Sequence, residues 1–325
     1  MKKLVFISIL LAMVVIILGA YTRLTDAGLG CPDWPGCYGH LSLADTAKHI
    51  ETSQQHFPER PFEAHKARNE MVHRYFASSL GFLILVIFIT SIWQRSYHRP
   101  LKLPFFLLCL VCFQGALGMW TVTLNLLPVV VMGHLLGGFS VLSCLFLLYL
   151  RLTPYRIPGG DHRMRHFGKY TIVGLGVLTC QIALGGWTSA NYAALACTEL
   201  PLCEGDWYGS LDFAGAFSVP HAENYEFGAH DYGQRMTMHI VHRLGAVVTF
   251  VYLSWLALGL YKAATAKLIK RLCIMLMLVL GLQVILGVSN VVFSLPIAVA
   301  VMHNFVAACL LLVLITLSYT LYRKT

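Results

Sequence analysis

The chain has 325 residues, 57% hydrophobic and 12% charged, with a mean hydropathy of +0.68. Water-soluble domains carry about 25% charged residues, so this composition excludes an ordinary soluble fold. The net charge of +9 is sorted by side of the apolar segments rather than clustered, which excludes a nucleic-acid footprint.

Stretches of about 20 mostly apolar residues, enough to cross the hydrocarbon core of a bilayer, occupy 4–22, 72–94, 103–123, 129–151, 168–188, 236–261, 269–293 and 295–321. They predict an all-α integral membrane protein with eight transmembrane helices. Lys2 and Lys3 before the first run imitate a secretory leader. The run ends in Leu18-Gly19-Ala20-Tyr21-Thr22-Arg23 without a small-x-small cleavage site, and seven further spans follow, so it reads as a retained helix.

The N-terminus, the loops after spans two, four and six, and the C-terminus together hold sixteen Lys and Arg and one acid, Asp161. The other side holds eight Lys and Arg and fourteen acids. Excess Lys and Arg mark the cytoplasmic side. Both termini are therefore expected in the cytoplasm of a bacterium, and the long first and fifth loops, about 23–71 and 189–235, outside its inner membrane.

The two halves repeat one pattern. Cys31 and Cys37 follow Gly19 in the first long loop as Cys197 and Cys203 follow Gly185 in the second. His73-Arg74 is echoed by His242-Arg243. Gln114-Gly-Ala-Leu-Gly118 returns as Gln283-Val-Ile-Leu-Gly287, each sixteen residues before a histidine, His134 and His303. The offset is 166 residues at the cysteines and 169 at the histidines. Each half has an even number of spans, which predicts two four-helix bundles, 1–155 and 156–325, related by a pseudo-two-fold axis along the membrane normal. A third copy, Gln181-Ile-Ala-Leu-Gly185, stands in span five; by default its Gly permits close helix packing and its Gln hydrogen-bonds across the interface, with a direct ligand role the alternative.

Ten of the fourteen histidines fall outside the repeat and read by default as solvated surface, among them His98, His162 and His166 in cytoplasmic loops. His73, His134, His242 and His303 lie within membrane helices near their outer ends, where an ionisable group needs a partner. Two histidines per half make a poor structural zinc site, which wants four ligands. They suffice as axial ligands of haem iron, and a four-helix bundle accommodates a flat macrocycle. Phe76, Phe82, Trp120, Phe139 and Phe305 suit a porphyrin and equally suit ordinary membrane packing. Arg74 and Arg243 either pair with haem propionates or snorkel to the interface.

The halves differ at one place. Three residues before His73 stands Glu70; three before His242 stands His239. Residues three apart share a helix face, so one half offers a carboxylate that can move protons or stabilise developing positive charge, the alternative being that Glu70 is a solvated loop acid in an acid-rich outer segment. One site is expected to do chemistry and the other to carry electrons. Structural disulfides are the default for the outer cysteine pairs; a redox role is open for both, with structure favoured for Cys197 and Cys203 and the two readings balanced for Cys31 and Cys37. The remaining cysteines, Cys109, Cys112, Cys144, Cys180, Cys273 and Cys309, read as small packing residues.

Tyr21-Thr-Arg-Leu-Thr-Asp-Ala-Gly-Leu-Gly-Cys31-Pro-Asp-Trp-Pro35 resembles the segment after the first helix of haem A synthases, and Glu70-Met-Val-His73-Arg74 resembles that family's Glu-x-x-His-Arg. His134, His242-Arg243 and His303 fall where its other haem histidines fall, and the paired cysteines resemble its cysteine-containing branch. The resemblance implies oxidation of the C8 methyl of haem O to a formyl group, by successive hydroxylations, to make haem A for terminal oxidases. It implies that His73 and His134 position haem O, that His242 and His303 ligate haem b, and that Glu70 is the catalytic carboxylate. Cys31 and Cys37 could then serve electron or haem transfer. Implied partners are a haem O synthase (the protohaem farnesyltransferase) and an electron acceptor such as a quinone. The rival readings are a non-catalytic di-haem cytochrome between quinone and an outer partner, a transporter, and a membrane thiol oxidase. A transporter would show polar residues at the midplane rather than near the outer face, and a thiol oxidase leaves the four histidines unexplained.

Overall fold

The computed structural model describes residues 1–42, 48, 50–94, 101–154, 157, 161–201 and 203–323. His98 lies outside them, as does the side chain of His162. The described residues are helical, apart from loops and one isolated bridge between Cys37 and His40. Eight helices are long and apolar enough to cross a membrane. They are α1 (Lys2–Leu24), α2 (Ala64–Trp93), α3 (Lys102–Thr123), α4 (Pro128–Arg151), α5 (Gly168–Ala190), α6 (Tyr232–Ala263), α7 (Lys267–Val292) and α8 (Ile297–Arg323). Leu278, Val247 and Ile285 are more than half exposed on the outsides of these helices, as side chains meeting lipid must be.

α2 starts eight residues before its apolar run, so His73 stands well inside the helix rather than at its opening. The added turns, Ala64-His-Lys-Ala-Arg-Asn-Glu-Met71, are polar on their outer face and bury Ala67, Glu70 and Met71 on the other; a hydropathy window registers only the apolar remainder. α6 likewise begins early, where the Asp231 side chain accepts the Gln234 N–H at 2.8 Å and caps the helix.

The helix ends repeat at the offsets found in the sequence. After α1 and α5 the chain turns through the left-handed region at Asp26 (φ 49) and Tyr192 (φ 55). The next N–H then bonds back, Ala27 to Thr22 O and Ala193 to Thr188 O, both at 2.9 Å. After α3 and α7 the turn is made by Asn125-Leu126 and Ser294-Leu295, with Leu126 N–H on Thr121 O at 2.8 Å and Leu295 N–H on Asn290 O at 2.7 Å. Such turns satisfy the last helix carbonyls.

The chain divides into two compact units. One holds α1 to α3, α4 as far as Leu145, and residues 219–230 of the second long loop. There α2 packs on α3, and the loop segment is anchored by Tyr225, whose N–H bonds Asn125 O at 3.0 Å and whose ring packs with Leu29 and Leu126. In the other unit α5, α6, α7 and α8 form a closed ring of neighbours, each helix against two others. At its short-loop end Asp161 Oδ2 accepts from Thr265 N–H (3.0 Å), the Thr265 hydroxyl (2.9 Å) and Ala266 N–H (3.2 Å), fixing the start of α7.

Candidate functional site

Every odd-numbered helix ends five residues after a glycine: Gly19 in α1, Gly118 in α3, Gly185 in α5 and Gly287 in α7. Against each glycine lies one imidazole of the helix that follows. A Cβ added at Gly19 would stand 3.0 Å from Cε1 of His73; for Gly118 and His134 the distance is 3.4 Å, for Gly185 and His242 3.0 Å, and for Gly287 and His303 3.1 Å. The missing side chain is what lets each ring lie against its neighbouring helix backbone. All four repeat histidines thus occupy one local environment, built four times.

In the first unit the rings of His73 and His134 have centroids 6.4 Å apart and planes at 85°. Two metal–nitrogen bonds of about 2 Å each, plus the distance from each nitrogen to its ring centre, come to roughly 6 Å. The pair is therefore spaced to take one metal ion between its rings. Both Nδ1 atoms are buried, and each ring faces a backbone carbonyl of the preceding helix, Val15 for His73 and Gln114 for His134. Those residues contain no group of three or more His, Cys, Asp or Glu able to hold a metal ion, so a site here uses paired imidazoles.

Glu70, 5% exposed, is a buried helix residue rather than a solvated loop acid. Its Oε2 accepts the Cys31 N–H at 2.8 Å, and its Oε1 forms an ion pair with Arg74, one turn on. Arg74 Nη1 in turn donates to Asp33 O at 3.0 Å and Pro35 O at 3.3 Å. Loop and helix approach so closely that a Cβ at Gly30 would strike the backbone of Lys66 and Ala67. Cys31 and Cys37 are joined in a disulfide, Cα atoms 4.8 Å apart, and pack with Tyr38, Ala67 and Met71. Burial raises the Tyr38 phenol above its ordinary pKa, and its hydroxyl donates to the carbonyls of Arg60 and Pro61.

The second unit repeats this loop with different chemistry. Cys197 and Cys203 form a disulfide, and Arg243 donates to Cys197 O (2.7 Å) and Glu199 O (2.8 Å). Both arginines thus hold the carbonyls of a disulfide loop. Glu204, at the exposed end of this loop, is held below the usual carboxylate range chiefly by the Thr198 hydroxyl. In place of Glu70 stands His239, also 5% exposed, whose Nδ1 has no partner among the described residues.

Both repeat histidines of the second unit meet a glutamine. Gln181 Nε2 lies 3.1 Å from His242 Nδ1 and donates to His242 O at 3.0 Å; Gln283 Nε2 lies 3.3 Å from the His303 ring nitrogens. Oε1 of each glutamine is buried without a partner among the described residues. Two half-buried imidazoles in glycine cradles, each beside a glutamine amide, are of a residue type that could hold a haem. Sequence reading finds these glutamines but not their partners. The signal was available: Gln181 and Gly185 are four apart on one helix face, so a ring that packs on the glycine can also meet the glutamine, as His242 does.

Of the other expected residues, Phe139 is buried and Phe82 points outward, 64% exposed. His230, expected on the solvated surface, is instead buried, because residues 219–230 pack onto the first unit. Cys109, Cys112 and Cys180 are exposed on their helices and Cys273 is buried; none is disulfide-bonded.

Comparison with known proteins bears on this arrangement. A family model described as cytochrome oxidase assembly protein matches residues 2–315. A heme A synthase of Shewanella oneidensis is 50% identical over 98% of this chain and 96% of its own length. This chain belongs to the haem A synthase family. Heme A synthases of Rickettsia prowazekii and Neorickettsia sennetsu are 25% and 27% identical, covering 98% and 94% of the chain and 97% and 94% of their own lengths. The signature segment after α1 and the Glu70–Arg74 motif are, in this haem A synthase family member, one structure: the former supplies the N–H and carbonyls that hold the latter.

Proposed function

We propose that this chain converts haem O to haem A by oxidising the C8 methyl to a formyl group. The first half, 1–155, takes haem O as substrate between His73 and His134. The second half, 156–325, would hold haem b on His242 and His303. When bound, haem b supplies a one-electron path away from the substrate.

The observation that carries the reading is Glu70, a buried carboxylate one turn from His73 where the second unit has an imidazole. An ionised carboxylate offers about four lone-pair sites. Cys31 N–H and Arg74 take two, which fixes the group and leaves it able to accept a proton from a substrate in the same cavity. His73 and His134 orient the macrocycle, and Gly19 and Gly118 keep those rings in place. A di-haem cytochrome needs no such difference between its halves.

The charge sorting supports cytoplasmic termini and outer long loops. Haem O reaches the chain from the protohaem farnesyltransferase that makes it, and electrons leave to a quinone-type acceptor in the same membrane. The test is haem extraction from cells expressing the chain together with a haem O source. Wild type is expected to accumulate haem A, and Glu70→Gln to stall at haem O or a hydroxylated intermediate, with conversion lowered at least about 100-fold. Two haems b per chain and no haem A from wild type would establish the cytochrome instead.

A further inference from the structure

The turns that lead into the two disulfide loops are packed differently. Ala27-Gly-Leu-Gly-Cys31 in the first unit corresponds, at the 166-residue offset, to Ala193-Ala-Leu-Ala-Cys197 in the second. The two leucines have opposite surroundings: Leu29 is 8% exposed and Leu195 is 43% exposed. Leu29 is covered by the segment 219–230, which belongs to the long loop between α5 and α6 and is part of the first unit. The Tyr225 ring shares one buried cluster with Leu29 and Leu126, and a Cβ added at Gly28 would stand 3.1 Å from Leu126 Cδ2. Tyr225 is fixed in turn by its own segment and by α3. Its N–H donates to Asn125 O at 3.0 Å, its hydroxyl to Pro220 O at 2.9 Å, and its carbonyl accepts the Gly228 N–H at 3.0 Å.

We propose that Tyr225 is a positioning residue for Glu70: by packing on Leu29 it holds the turn that presents the Cys31 N–H to the carboxylate. This inference rests on the proposed role of Glu70 in the chemistry.

The physical basis is the composition of the turn. Glycine loses more backbone freedom on ordering than any other residue, and glycines stand on both sides of Leu29. Gly30 is required, because any Cβ there would strike the backbone of Lys66 and Ala67; the second copy carries Ala196 in its place. That close approach accompanies the 2.8 Å bond from Cys31 N–H to Glu70 Oε2. It leaves Leu29 as the sole side chain between Ala27 and Cys31 that can anchor the turn. Burying a leucine against an aromatic ring offsets the ordering of a flexible segment. In the second unit, where His239 replaces the carboxylate, the equivalent leucine is left uncovered. The cover therefore follows the carboxylate rather than the repeat.

The test reads amide hydrogen exchange at Cys31 alongside haem A formation, both on the full chain. Tyr225→Ala is expected to speed exchange at Cys31 about tenfold or more, and to lower kcat about tenfold with KM for haem O within about twofold of wild type. Tyr225→Phe keeps the ring and loses only the bond to Pro220, so it should restore both. Leu29→Ala should reproduce Tyr225→Ala, and the double variant should be no worse than either single one, because both act through one contact. His221→Ala, exposed on the same segment, should change neither quantity. Wild-type exchange at Cys31 in Tyr225→Ala, undiminished kcat in that variant, additive losses in the double variant, or failure of Tyr225→Phe to restore would each overturn the proposal. Absence of haem A from wild type would instead overturn the reading of Glu70 beneath it, while exchange at Cys31 would still report whether Tyr225 holds the turn.

Discussion

The main-chain N–H of Cys31 donates to Glu70 Oε2 across 2.8 Å, so the carboxylate proposed to take part in the chemistry is positioned by the loop that the Cys31–Cys37 disulfide closes. Arg74 completes the circuit, pairing with Glu70 and donating to Asp33 O and Pro35 O of the same loop. Opening the disulfide frees the loop and with it one charge-assisted hydrogen bond, a contribution of about 1.5–3 kcal/mol. Since 1.4 kcal/mol is a tenfold change in rate, a Cys31→Ser, Cys37→Ser double variant is expected to make haem A about tenfold or more slowly. Its content of haem b, proposed to sit in the other unit, should match wild type. A fully active double variant would show that the loop positions nothing.

The glycine cradles predict a sharp contrast among substitutions of one kind. Gly185→Ala places a methyl 3.0 Å from His242 Cε1, and Gly19→Ala does the same to His73; both sites are closer than van der Waals contact allows, and ring or helix must move. Gly115, Gly176 and Gly281 have no atom within 4 Å of an added Cβ, so alanine there improves helix propensity by about 1 kcal/mol. Gly185→Ala should lower haem b per chain, Gly19→Ala should lower haem A formation while leaving haem b intact, and the three controls should raise thermal stability. Pyridine haemochrome content and haem A chromatography separate these cases.

Much of this architecture is legible in one dimension, and the reason is physical. Eight apolar runs announce eight spans because lipid imposes the same length on each, and the repeat exposes His73, His134, His242 and His303 because near-identical spacing survives without coordinates. The burial of Glu70 is not legible: its stretch of α2 is polar, and only the approach of the Cys31 loop removes it from water. The docking of 219–230 is equally hidden, since Tyr225 meets Asn125 across 100 residues of sequence. Gln181 and Gln283 stand between these cases, visible as a motif and meaningful only once the glycine beside each is known to touch an imidazole.

Arg243 and Arg74 make a matched prediction. Each holds a disulfide loop by its carbonyls, but only Arg74 also pairs with a catalytic candidate. Arg243→Gln should speed hydrogen exchange across 197–203 and leave haem A formation within a few-fold of wild type. Arg74→Gln should loosen 31–37 and also lower haem A formation by about tenfold or more, because loss of the buried ion pair releases Glu70. Equal activity losses in the two variants would count against the asymmetry of the halves.

Asn125 joins three segments of the first unit. Its Oδ1 accepts from Arg60 at 2.6 Å, its Nδ2 donates to Glu223 O at 2.9 Å, and its carbonyl takes the Tyr225 N–H. It also occupies the left-handed region, φ 48, which asparagine tolerates better than most residues. Asn125→Ala removes both side-chain bonds, each worth about 1 kcal/mol, and adds backbone strain. The loop segment 222–230, held by this residue and by the Tyr225 contact with Leu126, is expected to exchange its amides at least tenfold faster. Asn125→Asp keeps an acceptor for Arg60 but has no N–H for Glu223, so it should give an intermediate rate. If both variants exchange as wild type does, the Tyr225 packing alone holds the segment, and Tyr225→Ala becomes the substitution that releases it.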